Sequence, residues 1–165
     1  HSLTTEEPGR SGFWYRPTLY RTVALEIVPA SPWVGHGPVN LRLKLQALAE
    51  RDEASPALKR LARARDATQA HNDGLQALFW GGVFGLVGLL VAYMLPLVLF
   101  RQAALVTADA IRRALAVMGL LVAGLYIVFG LSYSYFAFVI PTVFYLAAVF
   151  LIALLVRGTS STQPL

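Results

Sequence analysis

The chain reads as an all-α integral membrane protein, with three transmembrane helices preceded by an outer segment of short amphipathic helices. Three observations predict this. The 165 residues are 56% hydrophobic with a mean hydropathy of +0.58, far from the balance of an ordinary water-soluble domain. Between Asp73 and Arg101 no acidic or basic residue interrupts LQALFWGGVFGLVGLLVAYMLPLVLF, a run longer than the roughly 20 apolar residues that cross a hydrocarbon core. Two further apolar runs follow it, at 114–131 and 138–156. The first residue is His, and no basic segment with a cleavage site precedes the apolar runs, so the expectation is a fragment of a larger polytopic protein.

Taken in order, residues 1–75 form the outer segment. Over 17–28, Pro17 suits a first helical turn, and Leu19, Val23 and Ile27 recur at helical spacing. Pro29, Ser31 and Pro32 stop that helix, and Trp33-Val34-Gly35-His36-Gly37-Pro38 reads as a turn, with His36 incidental to it. A second helix is expected over 39–53, although Leu41, Leu43 and Leu45 alternate as a short strand would. Ser55-Pro56 is a cap and first turn for a third helix, 56–69, whose Lys59, Arg60, Arg63 and Arg65 make a basic face suited to a membrane interface. That face is either simply solvated or a phosphate site.

The membrane region is 76–157, with spans at about 76–100, 114–131 and 138–156. Pro96 lies near the far end of the first span, and Tyr133 and Tyr135 suit an interfacial aromatic belt. Gly81, Gly82, Gly85 and Gly88 read as close helix-packing positions. Residues 158–165, rich in Gly, Ser and Thr, are expected to be a disordered tail. Arg101, Arg112 and Arg113 outweigh Asp109 between the first two spans, whereas 132–137 carries no charge. The positive-inside rule therefore puts 101–113 and Arg157 in the cytoplasm, and residues 1–75 on the outer side.

The net charge of +5 and pI near 9.9 are compatible with nucleic acid. The basic residues, however, flank membrane spans and no nucleic-acid motif accompanies them, so the lipid bilayer and phosphates are the expected partners and nucleic acid is not. There is no cysteine, hence no disulfide or thiolate metal site. No metal is expected at His71 and Asp73 either, because no third ligand lies near them in sequence.

The residues with chemical potential cluster where the polar and apolar parts meet, at His71-Asn72-Asp73. A neutral imidazole suits a general base at the mouth of a membrane helix. The plainer alternative makes His71 an interfacial anchor and Asn72-Asp73 an N-cap pair, Asp73 above all, with Asn72 also orienting His71. Upstream, Arg10, Arg16 and Arg21 are guanidinium groups able to grip phosphate in bidentate fashion, or else plain surface charges.

The spacing of these residues resembles a known family. His71-Asn72-Asp73-Gly74-Leu75-Gln76 followed by Gly82-Val83-Phe84-Gly85-Leu86-Val87-Gly88-Leu89-Leu90 is similar to the C-terminal half of bacterial O-antigen ligases. O-antigen polymerases and protein O-oligosaccharyltransferases share a version of it. In the ligases an Arg precedes an aromatic residue by four positions, a helix follows, then Pro-x-x-Gly-x-Gly. Here these are Arg16 and Tyr20, the helix through Val28, and Pro32 to Gly37. Tyr20 stands where Trp is commoner and Pro17 is unusual, and Arg10, ahead of Phe13 and Trp14, is a rival to Arg16. The resemblance covers about 10–156.

It implies a lipid-diphosphate-dependent glycosyltransferase of the bacterial inner membrane, multi-pass, with its active site facing the periplasm. Such an enzyme moves a glycan from undecaprenyl diphosphate to a lipid A–core sugar hydroxyl, independently of metal and without a cofactor. His71 would be the general base. Arg16, with Arg10 and Arg21, would bind the diphosphate, and Asn72 would contact substrate. The fragment alone would be inactive, with further arginines in the missing N-terminal spans. Alternatives remain: a polymerase or protein O-oligosaccharyltransferase with a different acceptor, or a non-catalytic transport or scaffold subunit in which His71 and Arg16 are dispensable.

Overall fold

The structure, a computed structural model, describes residues 12–64 and 67–158, and among these it is helical with no strand. Arg10, Arg65 and the tail from 159 lie outside the described residues. The six helices are α1 (Gly12–Thr22), α2 (Leu41–Ala49), α3 (Pro56–Arg63), α4 (Asp73–Val106), α5 (Ala110–Gly130) and α6 (Val139–Gly158). Two compact units contain them. One holds the residues up to His71 together with Leu75–Gly85; the other holds Asn72–Gly74 and the residues from Leu86.

In the first unit α1 starts earlier than Pro17 and runs on through a π-helical turn, Val23–Ile27, and a tight 3₁₀ turn, Val28–Ala30. Leu19, Val23 and Ile27 are all buried, as their spacing predicts. Residues 41–49 are helix, not strand. Leu41, Leu45 and Leu48 fall on one helical stripe and are buried together, whereas Leu43 is exposed. Asn40 caps this helix by accepting from the Arg42 N–H, and Ser55 caps α3 by accepting from Leu58 N–H. Leu58, Leu61 and Ala62 complete the core with Ala67, Ala70 and Phe79, leaving Lys59, Arg60 and Arg63 exposed.

Of the four glycines expected at close-packing positions, Gly85 lies against the Ala77 backbone, where a Cβ would be 2.5 Å from the carbonyl oxygen, and the others differ. Gly82 adopts φ 59°, ψ −148°, which breaks α4. Gly81 and Gly88 have open space where a Cβ would be. A helix break strips carbonyls before it and N–H groups after it of their partners, an expensive state at membrane depth. The loop after α1 supplies the replacements. His36 N–H donates to the Phe79 carbonyl (2.8 Å) and Gly37 N–H to that of Trp80 (2.9 Å). In return Val83 and Phe84 N–H donate to the carbonyls of Pro32 (2.8 Å) and Trp33 (3.4 Å). His36 is therefore structural: its Nε2–H also donates to the Ile27 carbonyl at the end of the first helix (2.9 Å).

In the second unit, α5 and α6 pack along the later part of α4. Gly119 lets α5 approach Phe100, whose ring atoms would lie 2.5 Å from a Cβ there. Around it Phe100, Ala116, Ile152 and Val156 form one cluster, and Tyr93, Ala123 and Tyr145 another. The tyrosine hydroxyls are satisfied inside the bundle, Tyr145 donating to the Ala92 carbonyl (2.8 Å) and Tyr126 to that of Pro141 (3.0 Å). Asp109 caps α5 through the Ile111 N–H.

α4, α5 and α6 are each long and apolar enough to cross a membrane. Their outward surface agrees: Leu121 is 62% exposed, Phe144 65% and Phe150 66%, apolar surface that water would penalise and hydrocarbon would not. After the break at Gly82, the stretch 83–106 extends for about 36 Å, enough for a hydrocarbon core of about 30 Å.

Candidate functional site

His71 closes the turn between α3 and α4, and its backbone sits in the left-handed region with φ 52°. Among residues with a Cβ, His, Asn and Asp accept that region most readily. Two bonds in the first unit hold the turn. The Tyr20 hydroxyl donates to the His71 carbonyl (3.0 Å), and the Ala70 N–H donates to Gln76 Oε1 (2.8 Å). Ala70 and Gln76 are buried, so the peptide leading into His71 is anchored from below while the side chain stays half-buried at the surface. Sequence reasoning missed Gln76 as a positioning residue. Its place in the His-Asn-Asp-x-Leu-Gln run was the available signal.

Tyr20 lies on α1, one turn after Arg16. At 100° per residue the two are about 40° apart around the helix, and both are accessible, Arg16 exposed and Tyr20 half-buried. Arg21 is exposed too but lies about 140° from Arg16, on another face. The structure thus brings the Arg16–Tyr20 face of α1 to the His71 turn and leaves Arg21 elsewhere, while Arg10 falls outside the described residues. Replacing Tyr20 by Phe should remove only the hydroxyl, loosening the His71 turn by about 1 kcal/mol. Faster amide exchange at residues 70–72, with the rest of the first unit unchanged, would register it.

Asn72 and Asp73 belong to the second unit. The Asn72 N–H donates to Ser134 Oγ (3.0 Å) and its Nδ2 to the Leu131 carbonyl (2.9 Å). Asp73 does not serve as the N-cap expected of it. It is buried, and its two oxygens accept from the Tyr93 hydroxyl (2.7 Å) and from Phe136 N–H (2.9 Å). Gly130 makes room for this, since a Cβ there would run into the Tyr93 hydroxyl and Asp73 Oδ2. Asp73 is thus a clip on the α5–α6 connection, and Ser134, fully buried, is a second one that sequence reasoning passed over. Neither was legible, because nothing in the local sequence says that 131–136 returns to residue 73.

Among the described residues no cluster of three His, Cys, Asp or Glu could hold a metal ion. What the His71 region offers chemically is a polar, partly open imidazole on a tethered turn, with a guanidinium on the neighbouring helix face. No known family, curated protein or solved structure matches this chain.

Proposed function

We propose that the chain is the C-terminal portion of a larger O-antigen ligase-like glycosyltransferase, moving a glycan from undecaprenyl diphosphate to a lipid A–core hydroxyl at the periplasmic face of the inner membrane. The observation that carries this reading is the Tyr20–His71 hydrogen bond, which joins the two motifs on which the family resemblance rests although they are far apart in sequence. The seating of the Pro32–Gly37 loop on the break at Gly82 supports it further by linking the other two motif segments.

In the proposed reaction the neutral His71 imidazole accepts the proton of the acceptor hydroxyl as its oxygen attacks the anomeric carbon. The bond from that carbon to the diphosphate oxygen breaks, and its electron pair leaves with the diphosphate. Arg16 offsets the developing charge through charge-assisted hydrogen bonds. Arg10 and Arg21 are weaker candidates for that role. Asn72 holds the segment next to His71, its Nδ2 donating to the Leu131 carbonyl, and contacts substrate through the rest of its amide. No metal enters this scheme.

The test is transfer by the intact protein in membranes, with purified lipid A–core as acceptor. Arg16→Ala should lose most of the activity. Arg16→Lys, which keeps the charge but not the planar fork, should recover part of it. Arg21→Ala, on another face, should be nearly normal. Transfer onto a second lipid-linked glycan or onto Ser/Thr instead would replace the ligase by a polymerase or a protein glycosyltransferase. Normal transfer by Arg16→Ala would refute the role of Arg16.

A further inference from the structure

Between α2 and α3 of the first unit lies an open groove of about 710 Å³ that the proposed transfer chemistry does not use. Its polar walls are Arg42, Gln46 and Glu50 at α2, and Lys59 and Arg63 on α3. Arg42 and Gln46 are one turn apart, as are Lys59 and Arg63, so each helix presents its pair on one side. Ala49 and Ala62, with side chains too short to fill the gap, leave the space between them.

The charge balance is three cations against the single carboxylate of Glu50. None of the three is ion-paired with a carboxylate of the described residues. Arg42 Nε is buried and has no hydrogen-bond partner among those residues. Three cations crowded beside one carboxylate repel one another, and a bound anion offsets that repulsion. The volume falls in the range of small-ligand sites, roughly 300–1,000 Å³, and is more than a bare phosphate ion fills.

We propose that this groove binds the phosphoryl group of a phosphorylated saccharide or of an anionic lipid headgroup. The Arg42 and Arg63 guanidinium groups suit two phosphate oxygens each, and Lys59 adds a point charge. Gln46 and Glu50 are then left to donate to and accept from hydroxyls carried by the same ligand. None of Arg16, Tyr20 or His71 lines the groove, so it is a site separate from the transfer chemistry.

Binding is measured directly on the intact, purified protein, with no dependence on glycan transfer. In one arm, glucose 1-phosphate is titrated calorimetrically in neutral detergent, with glucose as its uncharged control. In the other, retention of phosphatidylglycerol against phosphatidylcholine is read by native mass spectrometry. The triple variant Arg42→Gln, Lys59→Gln, Arg63→Gln should bind about tenfold or more weakly in the arm that holds the natural source, as expected for lost charge-assisted bonds. Unfolding temperature and helix content verify that it is folded. Arg63→Gln alone, at an exposed position, serves should the triple variant misfold, and should give part of the same loss. Arg60→Gln, on the same helix but outside the groove, should bind normally. A response to glucose 1-phosphate alone assigns a saccharide, and one to phosphatidylglycerol alone a headgroup. Binding in neither arm, an unaltered groove variant, or an equal loss with Arg60→Gln would overturn the site.

Discussion

His71→Asn in the intact protein should lower glycan transfer roughly 10²- to 10⁴-fold, the usual share of a general base, while expression and unfolding temperature stay near normal. Asparagine is the informative substitution because His71 has φ 52°, a region that Asn tolerates and Ala does not. His71→Ala would add a backbone penalty of about 1–2 kcal/mol to the missing imidazole, confusing the two causes. Asn cannot take up a proton, so it removes the chemistry and keeps the turn. The assay is single-turnover transfer in membranes beside a thermal melt of the same preparation. Near-normal transfer by the Asn variant would leave His71 as an anchor only, which is the outcome that the non-catalytic alternative requires.

The largest structural effect is expected at Gly35. Its φ is +66°, and a Cβ there would sit 2.5 Å from the Trp80 carbonyl carbon and oxygen. Neither backbone can yield, because the Trp80 carbonyl is accepting from Gly37 N–H at the break in α4. Gly35→Ala must therefore lift the loop out of the gap and leave up to four backbone groups, those of Phe79, Trp80, Val83 and Phe84, without partners. At about 1–3 kcal/mol for each buried unsatisfied group, the loss should exceed about 3 kcal/mol. Gly37 is the control. It also has positive φ, +75°, but open space where its Cβ would be, so Gly37→Ala should cost only about 1 kcal/mol. Unfolding of the intact protein in detergent, with amide exchange at 79–84, tests the order. Equal losses at Gly35 and Gly37 would mean that left-handed backbone, not the docking of the loop, makes Gly35 necessary.

The sequence by itself determined the helical class, the three apolar spans and the cap at Ser55. These depend on local spacing and on a hydrogen bond between residues three apart, so a linear reading contains them. It also singled out the segments around Arg16, Pro32 and His71 as unusual. What it could not decide was the purpose of each. Gly82 looked like a packing glycine because only a loop fifty residues upstream reveals that α4 is broken there. Asp73 looked like an N-cap because its partners, Tyr93 and Phe136, lie twenty and sixty-three residues away. Lys59 and Arg63 read as either a solvated face or a phosphate site, since Arg42 and Lys59 become neighbours only when α2 and α3 pack. In each case the local pattern admits several roles of similar cost, and the choice among them is made by long-range hydrogen bonds and burial, which only the folded chain creates.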